Sequence, residues 1–222
     1  MKKIISIVLG VVFLLTLTGC SLLPRTTKVT GNRMIENVVD YTSNITKTVE
    51  FTKRNKMIII AKNFNDVDLD ITFEVEFYDE KNALITSEKS YLTAVGAGSE
   101  VAVQIYDTPK SYHRYQVYTD AKVNDYCKTY FNNIELIHNR NDNVVAQAKN
   151  NSNETIDYMT AAVIFYQGKE VVGFDATTAS DVKPGRTGNF TFYDPYDENY
   201  NDVDYDNYKV YINEAYSYNY SD

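Results

Sequence analysis

The chain has 222 residues, of which 44% are apolar, 23% charged and 14% aromatic. This composition supports a packed core and excludes a disordered chain, a collagen-like chain and a membrane protein with many spans. The 22 Lys and Arg residues against 30 Asp and Glu residues give a net charge of −8, which disfavours electrostatic binding of nucleic acid. Two His and two Cys leave little material for a metal cluster, a His-based triad or a disulfide framework.

The amino-terminal residues have the pattern of a bacterial lipoprotein signal. Lys2 and Lys3 precede the apolar run Ile4–Leu15, which is too short to span a bilayer comfortably and is typical of a signal peptide. The following Leu17-Thr18-Gly19-Cys20 resembles the bacterial lipobox. The resemblance implies that the thiol of Cys20 receives a diacylglycerol before cleavage on its amino side. The alternatives are an ordinary secretory signal with a chance cysteine and an uncleaved anchor helix.

A lipid on Cys20 would determine where the protein resides. Two or three acyl chains, at about 0.8 kcal/mol per buried CH₂, hold a protein on a membrane surface essentially permanently. No stretch after Cys20 approaches the length of a second spanning helix, so we expect the remaining chain in water on the extracytoplasmic side of the cell membrane. Cleavage also removes Lys2 and Lys3, which changes the net charge from −8 to −10.

Five sequence blocks recur in the same order along the rest of the chain. Ala61-Lys62-Asn63 recurs as Ala148-Lys149-Asn150, 87 residues later. The other pairs are Val75–Asp79 with Val163–Gln167, Val95–Gly98 with Val182–Gly185, Ile105–Asp107 with Phe192–Asp194, and Tyr115–Tyr118 with Tyr208–Tyr211. The last pair is 93 residues apart, so the second copy has a six-residue insertion before its last strand.

The repeat sets the predicted domain organisation. We predict a signal peptide at 1–19, a lipidated tether at 20–43, a first repeat at 44–125, a linker at 126–130 and a second repeat at 131–222. Within each copy apolar and polar residues alternate, as Phe73, Val75 and Phe77 do with the Glu residues between them. Six or seven such short strands, separated by Asn-, Gly- and Pro-containing turns, predict an all-β fold of two tandem β-sandwiches.

The strand and turn order resembles the FxLYD domain family. The core motif stands in the first copy as Val75-Glu76-Phe77-Tyr78-Asp79, with Val for the family's Phe and Phe77 for its Leu. The second copy has Val163-Ile164-Phe165-Tyr166-Gln167, which lacks the acid. The resemblance implies small immunoglobulin-like sandwiches on a bacterial surface lipoprotein, and it implies no catalytic residues.

The acidic segment Asp194–Asp206 is the most distinctive local feature. Within it, Asp202, Asp204 and Asp206 stand at alternate positions, the spacing of oxygen ligands in calcium loops. The EF-hand pattern fails because its sixth position is Asn207 and not Gly. Three interpretations stay open: a calcium site at these Asp residues, a solvated insertion kept extended by like charges, and the solvent-exposed face of a strand.

Tyrosine is concentrated near the carboxyl end, where nine of the twenty Tyr lie between Tyr193 and Tyr220. A Tyr ring offers a large apolar area with a polar hydroxyl, which suits contact with a protein or a sugar. The candidates for such contact are Tyr196, Tyr200 and Tyr205, in or beside the charged insertion. We assign a structural role in strands to Tyr106, Tyr118, Tyr193 and Tyr211.

No motif in the sequence indicates catalysis. Cys127 has no partner once Cys20 is acylated, and we expect it to be buried between the two copies. His113 and His138 lack neighbouring Cys or carboxylate patterns, and no hydrolase, phosphate-loop or dinucleotide motif occurs.

We therefore predict a non-enzymatic binding module of the bacterial envelope, anchored by lipid, without a cofactor and with an envelope or extracellular protein or glycan as partner. The alternative is a calcium-dependent or carbohydrate-binding module that uses residues 194–206.

Overall fold

The computed structural model describes residues 40–197 and 199–219. These residues form an all-β fold without an α-helix, which confirms the predicted fold class. The thirteen strands of the described residues are β1 Ile45–Phe51, β2 Met57–Asn63, β3 Leu69–Tyr78, β4 Leu84–Val95, β5 Glu100–Ile105, β6 Arg114–Val123, β7 Cys127–Thr129, β8 Ile134–Arg140, β9 Val144–Asn150, β10 Ile156–Gln167, β11 Glu170–Val182, β12 Thr187–Phe192 and β13 Asn207–Tyr218. Short 3₁₀ helices at Tyr41–Asn44 and Phe131–Asn133 precede β1 and β8. Within the described part of the chain, no helix has the length and apolarity needed to cross a bilayer.

The strands form four antiparallel sheets, two in each half of the described chain. The first half, residues 40–126, contains the sheets β1-β2-β5 and β4-β3-β6, and their facing sides enclose one apolar cluster that includes Ile59, Phe73 and Phe77. The second half, residues 127–219, contains the sheets β12-β9-β8 and β11-β10-β13-β7 around a second cluster that includes Phe165 and Phe190. Burial alternates along β3, as expected of a strand that packs one face against the core. The arrangement is compatible with an immunoglobulin-like sandwich.

A fully buried asparagine closes one end of the first half. Asn63, the last residue of β2, donates from Nδ2 to the carbonyl oxygen of Val67 at 3.0 Å and to that of Val95 at 3.2 Å. Its Oδ1 accepts the backbone N–H of Asn65 at 3.0 Å. One amide side chain thus satisfies backbone groups in the turn after β2 and at the end of β4, which would otherwise be buried without partners.

The second half repeats these hydrogen bonds with every partner 87 residues later. Asn150 is also fully buried, and its Nδ2 donates to the carbonyl oxygens of Glu154 and Val182, both at 2.8 Å. Its Oδ1 accepts the backbone N–H of Ser152 at 2.9 Å. The repeated Ala-Lys-Asn sequence therefore marks a repeated structural role, because the short Asn side chain supplies two N–H donors and a carbonyl acceptor at once.

Backbone irregularities recur at the same spacing. Ala94 and Asp181 both have a φ of 53°, and Gly98 and Gly185 have φ values of 75° and 70°. The two glycines donate their N–H groups to the carbonyl oxygens of Asn63 and Asn150 at 2.9 and 2.8 Å. A positive φ is accessible to Gly without steric cost, which explains the Gly in both turns.

The segment predicted as a linker is part of a sheet. Cys127–Thr129 form β7, which pairs antiparallel with Tyr216–Tyr218 of β13. On either side of β7, the N–H of Tyr130 donates to the carbonyl oxygen of Ala215 at 2.9 Å, and the N–H of Asn219 donates to that of Tyr126 at 3.0 Å. The described residues form one compact unit, and the predicted domain boundaries remain a prediction.

The two halves contact each other along their whole length. At one end the ring of Phe131 lies against Gly96, where a Cβ would be 2.7 Å from the ring. In the middle, an apolar cluster joins the β2 and β5 sheet to the β10–β13 sheet. Its buried members are Ile58, Ala102, Ile164, Val171 and Tyr211. At the other end Thr52 and Val171 form a parallel bridge. The halves therefore lie side by side.

A β-bulge in β13 adds two polar contacts to this junction. The pairing of β10 with β13 passes from Thr160–Glu214 to Ala161–Ile212, so Asn213 is the extra residue. The Oδ1 of Asn213 accepts the N–H of Ala102 at 2.9 Å, and its Nδ2 donates to the carbonyl oxygen of Ala102 at 2.7 Å. The adjacent Glu214 accepts the N–H of Thr93 at 2.7 Å and the hydroxyl of Thr160 at 2.8 Å.

We expect Asn63→Ala and Asn150→Ala each to lower the free energy of unfolding by about 2–4 kcal/mol, because at least one buried and one half-buried carbonyl group lose their donor in each variant. Chemical denaturation measures the loss. Asn139→Ala, at an exposed position of β8, is the control and should change stability by less than about 0.5 kcal/mol. Equal stability of the Asn63 and control variants would contradict the assigned role.

We expect Glu214→Gln to reduce the pH dependence of stability. Burial raises the pKa of Glu214, so its contribution to stability is complete at acidic pH and is lost as the pH rises through the raised pKa. A Gln side chain retains an acceptor for Thr93 and carries no charge. Denaturation between pH 4.5 and 7.5 should show a smaller loss of stability in the variant than in the wild type. The exposed Glu80→Gln is the control, and equal slopes for the wild type and Glu214→Gln would refute the prediction.

Candidate tyrosine groove

A groove of 440 Å³ lies between the two halves at the end where β1 finishes. The first half contributes the turn after β1, with Arg54 and Lys56, and the end of β5. The second half contributes residues 172–176 of β11 and residues 193–196 after β12. We call it the tyrosine groove. Its volume falls in the range of small-molecule sites, roughly 300–1,000 Å³.

Three exposed tyrosines line the groove, and a fourth stacks on one of them. The exposed fractions of Tyr106 and Tyr193, which line it, are 71% and 74%. Tyr196 also lines it and is 44% exposed, and Tyr200 is 82% exposed. The rings of Tyr196 and Tyr200 are stacked, with centroids 5.5 Å apart and planes inclined by 14°. The rings of Tyr106 and Tyr193 are available for contact, whereas the ring of Tyr196 already contacts Tyr200 and Arg54.

The sequence-based assignment of Tyr106 and Tyr193 to packing is wrong. The two residues occupy equivalent positions in the repeat, each directly after the last residue of an edge strand, β5 or β12. The chain leaves the sheet there, so the side chain no longer faces the core. Tyr118 is 41% exposed, whereas Tyr211 is buried as expected.

Two cations from the turn after β1 hold the tyrosine-bearing segments. Lys56 Nζ donates to the carbonyl oxygen of Tyr106 at 2.8 Å. Arg54 donates to the carbonyl oxygen of Tyr196 at 3.3 Å, and its guanidinium carbon lies 5.0 Å from the centre of that ring. The Arg54 contacts join the first half to the insertion of the second half. Sequence reasoning missed both residues, because nothing in the sequence places this turn beside residue 196.

A glycine brings the insertion close to β11. An added Cβ at Gly173 would lie 2.4 Å from the Cβ of Pro195, so only Gly fits beneath the proline. Nearby, Asp175 accepts the N–H of Tyr193 at 2.7 Å and that of Ala176 at 2.9 Å. Burial raises the pKa of Asp175 despite these two bonds. The base of the groove is therefore closely packed and hydrogen-bonded.

The insertion folds back on itself as a short hairpin. Tyr196 and Asp202 form an antiparallel bridge, and Tyr200 has a φ of 62° at the turn. Asp197 Oδ1 accepts the N–H groups of Asn199 and Asn201 at 2.8 and 2.9 Å. Hydrogen bonds from Asn201 hold the pKa of Asp197 below its ordinary value. Of the three interpretations left open, the extended insertion does not hold for the described part of this segment, where hydrogen bonds fold the chain back despite the like charges.

The structure does not assemble the proposed calcium ligands. Asp202, Asp204 and Asp206 are all exposed, and no group of three His, Cys, Asp or Glu suited to a metal ion occurs among the described residues. Asp206 instead accepts the N–H of Gly168 at 2.9 Å, at the turn between β10 and β11. Asp202 lies in the bridge with Tyr196. The alternating spacing arises in an irregular segment, where it does not direct three side chains to one point.

The other predicted site residues have separate outcomes. Tyr205 is buried, so the prediction that its ring contacts a partner is wrong. Its hydroxyl donates to Asp194 at 2.8 Å, and burial together with this bond raises the pKa of Tyr205 to about 12.

Cys20 lies outside the described residues. Cys127 is buried with Ala94 of the first half and Tyr216 of the second, as expected, and burial raises the pKa of its thiol.

No known family model matches this sequence, and a search of curated proteins found no similar one. The resemblance to FxLYD domains therefore stays a prediction that rests on the two core motifs.

We expect Gly173→Ala to displace residues 193–196, because the new Cβ overlaps Pro195. The free energy of unfolding should fall by about 1–3 kcal/mol, as in other overpacked sites. Hydrogen exchange should become faster at the amide of Tyr193, whose bond to Asp175 depends on this position. Ala176→Ser, at an exposed site of the same strand, is the control. Unchanged exchange at Tyr193 in the Gly173 variant would contradict the predicted displacement.

Proposed function

We propose that this protein is a lipid-anchored, extracytoplasmic binding protein of the bacterial envelope that acts without catalysis, and that the tyrosine groove is its contact surface. The observation that carries the proposal is the position of the groove. Its three exposed tyrosines, Tyr106, Tyr193 and Tyr196, lie at the end of the fold opposite the residues that follow the predicted tether.

The direction of β1 supports this arrangement. The strand begins at Ile45, next to the first described residues, and the groove begins just after its last residue, Phe51. Seven residues at about 3.3 Å each separate the two ends by roughly 20 Å. An anchor at Cys20 would therefore hold the fold at one end and leave the groove at the other, where a ligand outside the membrane can reach it.

The junction between the halves supports a preformed groove. Lys53 from the first half donates to Gln167 at 2.7 Å and forms an ion pair with Glu170 at 3.4 Å. The bridge between Thr52 and Val171 lies beside these contacts. Because both walls are tied to each other at this end, the backbone of the groove requires little ordering on binding, and preorganised sites lose less entropy.

The two cysteines allow a matched test of the anchor. In a bacterial host, Cys20→Ala should abolish acylation and shift the protein out of the detergent-extracted membrane fraction, because the thioether needs that thiol. Cys127→Ala should leave acylation intact. Mass spectrometry of the amino-terminal peptide and protease treatment of intact protoplasts are the measurements. Acylation that survives in Cys20→Ala, or a wild-type protein protected from protease, would refute the proposed location.

A further inference from the structure

We propose that the tyrosine groove binds an uncharged oligosaccharide of β-linked pyranose units. This inference rests on the proposed function, since it assumes that the groove is the contact surface, and it adds the chemical class of the ligand. Three properties of the groove lead to it: the presentation of the rings, the pairing of the charges and the shape of the floor.

The rings are exposed, and hydrogen bonds hold the backbone that carries them. Tyr106 and Tyr196 have carbonyl groups bonded to Lys56 and Arg54, and Tyr193 has its N–H bonded to Asp175. A β-linked pyranose presents a flat face of C–H groups and a rim of hydroxyl groups. An aromatic ring packs on such a face, while its own hydroxyl and nearby polar groups such as Gln104 can bond to the rim. Repeated rings suit a ligand with repeated flat units.

The charges in the groove compensate one another. Arg54 and Lys56 stand against Asp175 and Asp194, two positive and two negative groups. Each already has a partner in the walls: the two cations bind backbone carbonyls, Asp175 accepts backbone N–H groups, and Asp194 accepts the hydroxyl of Tyr205. An anionic ligand would also approach a chain whose net charge is −8. These groups therefore favour a neutral ligand.

The floor argues against a peptide ligand. Val172 and Gly173 are buried beneath the groove, and Pro195 fills the space above Gly173. Binding of a peptide usually depends on side chains that enter desolvated pockets. Here the exposed rings of Tyr106 and Tyr193 lie beside polar groups, which fits a ligand that stacks on the surface.

The test uses the full lipidated chain in detergent micelles, titrated with cellotetraose and with N-acetylchitotetraose by calorimetry or NMR. We expect binding of at least one of these neutral probes and at least tenfold weaker binding of an anionic, β-linked hyaluronan tetrasaccharide. Tyr193→Ala and Tyr106→Ala should each weaken binding about threefold to tenfold, whereas Tyr193→Phe, which keeps the ring, should stay within about threefold of the wild type. Tyr91→Ala is the matched control, because Tyr91 is 67% exposed on β4 and does not line the groove.

The outcomes separate this inference from the proposed function. Absence of binding to both neutral probes, stronger binding of the anionic probe, or equal effects of Tyr193→Ala and Tyr91→Ala would overturn the sugar ligand. A protein crosslinked in cells through position 193, without sugar binding, would also overturn it while leaving the binding function in place. Cosedimentation with purified cell-wall sacculi or with insoluble cellulose then distinguishes the cell's own glycan from an external one.

Discussion

The hydrogen bonds of Asn213 and Glu214 to the first half are the contacts on which the rest of the structure depends. A single extra residue in β13 brings two consecutive polar side chains to the junction, where they bind Ala102 of β5 and Thr93 of β4. An edge strand normally leaves backbone groups unpaired, and Asn213 satisfies both groups of one residue on that edge. Each half thereby supplies one wall of a groove whose geometry is set by the junction and not by either half alone.

The two halves share a framework and differ where the groove is built. The buried Asn63 and Asn150 make the same hydrogen bonds, and the same turns follow them. The six-residue difference before the last strand falls in the second half only, and this segment carries Tyr196 and Tyr200. Duplication therefore accounts for the equivalent pair Tyr106 and Tyr193, whereas the insertion accounts for the stacked pair. The groove combines a repeated feature with a unique one.

Much of the fold could be predicted from the sequence, because strand periodicity and the repeat are local signals. The alternation in β3 and the spacing of the Ala-Lys-Asn blocks predicted strands that the structure contains. The exposure of Tyr106 and the burial of Tyr205 could not be predicted in this way, since each depends on where a strand end meets another part of the chain. The same is true of β7, whose three residues pair with β13 through contacts that are distant in sequence. The sequence contained two signals for the groove: the equivalent positions of Tyr106 and Tyr193, and the tyrosines of the insertion, of which Tyr196 lines the groove.

The junction also limits how an array of such units could grow. The first half presents Ile60 and Ala102 to its neighbour, and Gly96 leaves room for the ring of Phe131. At the equivalent positions of the second half stand Gln147, Asn189 and Lys183, all exposed. Repeat proteins end in units with a polar outer face, which keeps the last unit soluble. A third unit docked in the same manner would bury a lysine and two amides. The contact that joins the two halves therefore cannot be repeated to add another unit.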